Sequence, residues 1–333
     1  LKNESFDDAI SSFEYYVNNY PEGNQYINAR RNIIKTRENK IKVVYPVDMS
    51  AIRQLTYDYK NLMNELGIND QTIEAYRSKA ILHAFYLSEL DSAISILDQI
   101  IAKPRVPRTT RAQSKIDLGD IYLLMGEHWE STLLYSQVEK ANKSSKLGYE
   151  AKLRNARLNY YMGNFELAGS HLDILKLATT REIANDALAL NLLITDNTAL
   201  DSSDFVMREY ANVDLLMFQN KTDSSRHMYE LMLEKYPGHS LIDEIHWQLA
   251  NIYLKLGNFE HALSNLKIIS SDHAEDILGD DATFLMAEIY DRHLQDENTA
   301  MQLYRDFLTA YPGSVFVAEA RKRFRLLRGD QIF

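Results

Sequence analysis

The densest group of ionisable side chains in this chain of 333 residues is DHAEDILGDD (272–281). Its Asp272, His273, Glu275, Asp276, Asp280 and Asp281 are the oxygen and imidazole donors that a divalent cation takes. The same residues also fit a purely electrostatic role, because the segment leads into a helix and carboxylates favour the positive N-terminal end of a helix dipole. That reading needs no ion and is the one adopted. The nine His residues are scattered: His246 falls at a core-like helical position, His261 on a different helix and His273 in a loop. The sequence contains no HExxH, GxSxG, GxxxxGK[ST] or EF-hand loop, so no base, nucleophile and oxyanion donor are set at working spacing. Zero Cys excludes disulfides, thiolate zinc sites and Cys nucleophiles, and it fits either a reducing or an oxidising compartment. A non-enzyme without metal or cofactor is expected. The basic run ARRNIIKTRENKIK (29–42) reads as a solvated helix face rather than an anion site, and Arg328-Gly329-Asp330 matches an integrin-type tripeptide by letter only.

The elements that must carry any function are helices in pairs. In YPGHSLIDEIHWQLANIYLKLGNFEHALSNLKII (236–269), Ile245, Leu249, Ala250, Tyr253, Leu254 and Leu256 recur at three- and four-residue intervals, the period of one helix face. Gly257-Asn258 then makes a turn, and Phe259, Ala262, Leu263 and Leu266 restart the period. Such a pair cannot bury its apolar stripe alone, so copies are expected. They occur at 118–138, 154–175 and 286–313, with second-helix portions at 5–23 and 85–101. The small residue of the second helix falls at 93, 131 and 168 and again at 225, 262 and 300, a repeating step of 37 or 38 residues.

Small residues at Gly119 and Ala250, Tyr at Tyr122, Tyr253 and Tyr290, Gly at Gly126, Gly163 and Gly257, and Pro at Pro21, Pro237 and Pro312 together resemble the tetratricopeptide repeat. The usual Trp early in the first helix is His246 here, with Trp247 one place on. The resemblance implies an all-α, right-handed superhelical solenoid of antiparallel helix pairs, with roughly fourteen or more helices and no sheet. Two steps are longer than one period. The surplus before Ser225 fits an extra, unpaired helix at 181–195. That before Ala93 fits an extended excursion at 40–49, where β-branched residues and Pro46 oppose a helix. The expected organisation is N-terminal repeats over 1–195, a soft joint near 196–204, and C-terminal repeats over 205–333 ending in a capping helix with a polar outer face at 315–333. The chain opens on what reads as the second helix of a pair, so it is expected to be a fragment of a longer protein.

With 12 Gly, 6 Pro and no apolar run of membrane-spanning length, one ordered helical body without direct membrane insertion is expected. The net charge of −10 argues against nucleic acid as a partner. In the family that the repeats resemble, first helices line a concave groove. Carried over, its positions give Gln113, Ile116, Asp120, Leu123 and Leu124, then Glu150, Leu153, Arg157, Tyr160 and Tyr161. Next come Glu244, Trp247, Asn251, Leu254 and Lys255, and finally Asp281, Phe284, Glu288, Asp291 and Arg292. The resemblance implies that these bind another protein, as a peptide or a helix. Acidic residues interrupt Arg157, Asn251, Lys255 and Arg292, which departs from the clamp that some members use for acidic C-termini. The Tyr-Pro-Gly turns at 236–238 and 311–313 are similar to bacterial envelope members: the outer-membrane assembly lipoprotein and the periplasmic Tol-Pal coordinator. A periplasmic or outer-membrane-anchored scaffold is therefore expected. The alternatives are a cytoplasmic peptide-binding regulator, and the docking region of an enzyme whose catalytic part lies upstream.

Overall fold

The computed structural model describes residues 6–177, 180–198 and 204–330. Among these, seventeen α-helices and one π-helical turn form, and no strand. The chain divides into two compact units, Leu1–Lys221 and Thr222–Phe333.

The first unit holds α1 (Phe6–Asn19), α2 (Tyr26–Lys42), α3 (Met49–Leu66), α4 (Ile73–Phe85), α5 (Leu90–Ala102), α6 (Arg108–Met125), α7 (His128–Ala141), α8 (Lys146–Tyr161), α9 (Phe165–Leu175), α10 (Arg181–Thr198) and α11 (Phe205–Phe218). Neighbouring helices through α10 pack in sequence, each against the next. The α6–α7 pair shows why small residues sit where they do. A Cβ on Gly119 would lie 2.5 Å from the Tyr135 ring, and Ser131 Oγ donates to the Gly119 carbonyl at 2.9 Å across the same contact. The helices therefore approach closely enough for Tyr135 to bury its ring completely.

The second unit holds α12 (Thr222–Lys235), α13 (Ile242–Lys255), α14 (Phe259–Asp272), α15 (Gly279–Glu288), the π-helical turn Ile289–His293, α16 (Glu297–Ala310) and α17 (Val317–Leu327). Gly257 ends α13 at φ 73°, its N–H on the Leu254 carbonyl and that of Asn258 on Tyr253, a left-handed helix stop that L side chains resist. Asn258 Oδ1 then accepts from the His261 N–H and caps α14. Ala93, Ala168, Ala262 and Ala300 are all fully buried, as the repeat register requires. Replacing Ala262 by Leu should push α13 and α14 apart at a cost of about 1–3 kcal/mol, read from denaturant melting. A variant melting like the parent would show the register to be wrong.

Two local expectations differ from the structure. The excursion at 40–49 shrinks to the turn 43–48 with a cis Tyr45–Pro46 bond, residues 40–42 closing α2. Its surplus length lies in helices of 17 and 18 residues, α2 and α3. The helix expected to stand unpaired is α10, which packs on α9 and α8. The expected joint at 196–204 lies partly outside the described residues, and the division between compact units falls after Lys221. The first helix of the last pair ends in the π-helical turn Ile289–His293, whose wider hydrogen bonding accommodates one extra residue.

Candidate partner-binding surface

First helices of successive pairs are tied to one another by polar rungs. Arg77 on α4 donates to Asp117 on α6 at 2.6 Å, and Thr110 on α6 donates to Glu74 at 2.7 Å. Gln113 on α6 donates to Glu150 on α8 at 3.2 Å, and Arg157 on α8 donates to Asp186 on α10 at 3.0 Å. Asp120 is buried, accepts from the Tyr135 hydroxyl at 2.7 Å and pairs with Arg154 at 3.1 Å. Burial raises its pKa while Arg154 and Tyr135 oppose the rise.

Across the C-terminal ends of α4, α6 and α8 lies α11. Its Phe218 ring meets Phe85 edge-on at 6.2 Å and Tyr161 at 6.0 Å, and Leu215 joins the same apolar cluster. Tyr160 donates its hydroxyl to Asp214 at 2.6 Å. The carboxamides just past α11 finish the arrangement: Gln219 Nε2 donates to the Leu123 carbonyl and Asn220 Nδ2 to that of Phe85, each at 3.2 Å. Those carbonyls belong to the last turns of α6 and α4, and that of Leu123 also accepts from the Gly126 N–H at 3.1 Å. Thus α11 caps two first helices and buries the aromatic end of a third.

The structure places the sequence-derived residues accordingly. Tyr160 is buried, and Tyr161 is half-buried between Tyr160 and Phe218, its hydroxyl pKa raised by burial and then by Asp214. Leu124 packs beside the α4–α6 core, and Ile116, Leu123 and Leu153 are buried. In the first unit, therefore, Ile116, Asp120, Leu123, Leu153 and Tyr160 are taken up by contacts within the fold, while the Arg157 side chain stays 38% exposed. In the second, Trp247 is half-buried with its carbonyl accepting from Asn251 Nδ2 at 2.9 Å, Lys255 is exposed, and Glu288 pairs with Arg292 at 3.1 Å. Phe284 and Leu254 are buried, Phe284 stacking on Phe316 at 4.6 Å, and Asp291 accepts two bonds of 2.7 Å from Arg323. The polar outer face expected of the terminal helix thus loses Arg323 to an inward ion pair. The repeat pattern places 205–218 in the C-terminal repeats, and the structure seats this helix, α11, on α4, α6 and α8 of the first unit; Asn220, at φ 57°, holds the turn position that Gly holds elsewhere.

The acidic segment 272–281 behaves as a helix entry. Asp280 and Asp281 occupy the first turn of α15, His273 contacts Asp276 at 2.9 Å, and among the described residues no three metal-ligating groups converge. Burial, reinforced by Asp280, pushes the Asp281 pKa up to about 6. An acid whose pKa is raised by folding binds its proton more tightly in the folded state, so stability falls as pH rises from about 4 to about 6. Asp281→Asn should flatten that slope and raise the melting temperature at pH 7 while changing little at pH 4. An unchanged pH–stability curve would contradict this. The basic run is both solvent-facing and paired: Arg30 with Glu65, Arg37 with Glu14 and Asp58, and Lys40 with Asp7, so ion pairs at the surface lace α2 to α1 and α3.

No helix among the described residues is long and apolar enough to cross a membrane. No curated protein matches the chain. Among solved structures, the chain is similar to a tetratricopeptide repeat protein from Parabacteroides merdae, with 11% identity, 98% of this chain and 100% of that chain covered, and a TM-score of 0.33. It is also similar to the apo form of RapI, with 14% identity, 98% and 94% covered, and a TM-score of 0.43. The P58(IPK) TPR domain gives 16% identity, 99% and 94% covered, and a TM-score of 0.30. Residues 153–307, spanning α8 to α16, match the family model of the tetratricopeptide repeat protein 21 ARM repeat, so this stretch is similar to a tetratricopeptide-repeat family.

Proposed function

We propose that the chain is a non-catalytic scaffold that binds another protein, taking a peptide segment or a partner helix on its rows of first helices. The observation that carries this reading is α11. Its aromatic and leucine residues enter the cluster beside α6 and α8 while Gln219 and Asn220 donate to carbonyls in the last turns of α6 and α4. These are the contacts by which an amphipathic helix is held in a groove, with apolar anchors for contact area and polar groups for register. In the first unit that seat is filled by the chain itself. In the second, Trp247, Asn251, Lys255, Glu288 and Arg292 combine an aromatic anchor, a carboxamide and charges of both signs, which suits a polypeptide rather than a small charged metabolite.

Selection of a random peptide library on the purified chain tests the reading. Enriched peptides should lose affinity on Trp247→Ala and on Arg292→Ala with the melting temperature held. Failure of any sequence to enrich, or binding indifferent to both variants, would remove the second unit's row as a partner site. For cellular place we propose the bacterial envelope, on the similarity of the Tyr-Pro-Gly turns to envelope repeat proteins. Fractionation of the source cells should put the protein in the periplasm or with outer membranes, and a purely cytoplasmic pool would favour a peptide-binding regulator.

A further inference from the structure

On α8, the face turned away from α11 carries a feature that the other repeats lack. At the two helical positions where they have Leu118 and Tyr122, Leu249 and Tyr253, or Met286 and Tyr290, this repeat has Asn155 and Asn159. A large aromatic has become a short carboxamide, and the volume it would fill is open. A cavity of about 410 Å³ lies between α7, α8 and α9, lined by residues that include His128, Trp129, Asn155, Asn159, Leu167 and His171. That size falls within the range of roughly 300–1,000 Å³ typical of ligand sites.

Two properties of its wall specify what it would take. The first is unmet hydrogen bonding. His128 Nε2, Asn155 Oδ1 and His171 Nδ1 are buried without partners, all on this one cavity. Asn155 is only 3% exposed, and its amide nitrogen is committed to Ser136 Oγ at 3.1 Å, which leaves its oxygen as an acceptor in wait of a donor. A buried unpaired polar atom costs free energy, and three around one cavity point to a bound group that completes them. The second property is charge: no Asp, Glu, Lys or Arg lines the cavity, in a chain of which a quarter is charged. Burial, and then Lys152, hold the His171 pKa below the usual imidazole range, so its ring is neutral at pH 7. At the rim, Trp129 is 85% exposed and Leu167 and Met162 are exposed beside it.

We propose that this slot binds an uncharged, extended peptide segment, its main-chain amides read by Asn155 and Asn159 and an aromatic or large aliphatic side chain resting on Trp129. The spacing supports a peptide backbone. Residues four apart on a helix are separated by about 6 Å along the axis, and same-facing peptide groups in an extended chain recur every ~6.6 Å. Both amide nitrogens are held inside the fold, that of Asn155 by Ser136 Oγ and that of Asn159 by the Asn155 carbonyl at 2.9 Å, so the pair offers a peptide its carboxamide oxygens, acceptors for main-chain N–H groups. The inference rests on the scaffold reading but uses a different face of the first unit from the row of first helices.

The test uses N-acetylated, C-amidated tripeptides with a central Phe or Leu, against matched peptides with a central Asp or Lys. With only two Trp residues in the chain, a Trp247→Phe background makes Trp129 emission report on this slot alone. The uncharged peptides should shift that emission saturably. Asn155→Leu and, separately, Asn159→Tyr, which restore the residue types of the other repeats, should weaken binding by about tenfold or more, with melting temperatures equal to or above the parent's. Binding that survives both substitutions, or charged peptides that bind as well as neutral ones, would overturn the proposal. So would an absence of saturable binding, or saturation seen only with free Phe and not with blocked peptides. If library-selected peptides still depend on Trp247 and Arg292, the scaffold reading stands while this site falls.

Discussion

Replacing Arg154 by Met should lower the stability of the first unit by about 3–5 kcal/mol at pH 7, because it leaves a buried carboxylate without its cation. Asp120 is 7% exposed, and Arg154 reaches it at 3.1 Å from α8. Burial already raises the Asp120 pKa, and Arg154 is the first of the groups that pull it down. Removing Arg154 therefore raises it further. The sign follows: the penalty is complete above the new folded pKa, shrinks as pH falls through it, and vanishes below about pH 4, where the unfolded carboxyl is protonated too. Denaturant midpoints of parent and variant should converge toward pH 4. Adding Asp120→Asn to the variant should recover much of the loss at pH 7, since the amide still accepts from Tyr135. A loss independent of pH would mean that Arg154 acts through packing of its stem.

The second large effect concerns the seat of α11. Tyr161→Ala should cost about 2–4 kcal/mol, the usual scale for removing most of an aromatic side chain from a partly buried cluster. Phe218→Ala should cost a similar amount. Since the two rings lie 6.0 Å apart, the double variant should lose less than the sum, with a coupling of about 0.5–1.5 kcal/mol. This outcome differs from the behaviour of an open groove, where truncating an aromatic costs affinity and leaves stability alone. Strict additivity of the two losses would place Phe218 away from Tyr161.

Repeat register was readable because it is written in short-range pattern. Small residues at Gly119, Ala250 and Ala262, and the Gly257-Asn258 stop, each have a local steric cause. Hidden from the sequence was everything that depends on which helix lies against which. Asp120, Tyr160 and Tyr161 sit at positions that face a groove in the family they resemble. Nothing in their own helices says that Arg154, Asp214 and Phe218 come to meet them. Phe284 and Asp291 likewise look available until Phe316 and Arg323 arrive from the terminal turn and helix. The ten residues at 40–49 misled for a different reason: β-branched residues and a proline mark the end of a helix, but they do not fix how long the interruption lasts.

The most direct test of whether the first unit fills its own row of first helices is a ring-to-ring measurement. With Phe and Tyr rings selectively labelled, nuclear Overhauser contacts should connect Phe218 to both Phe85 and Tyr161, whose ring centres lie 6.2 Å and 6.0 Å away. Contacts to both rings are the predicted result. A Phe218 ring that shows neither contact and exchanges saturation freely with water would mean that α11 does not occupy the row, and that Tyr160, Tyr161 and Leu124 are open to a partner after all.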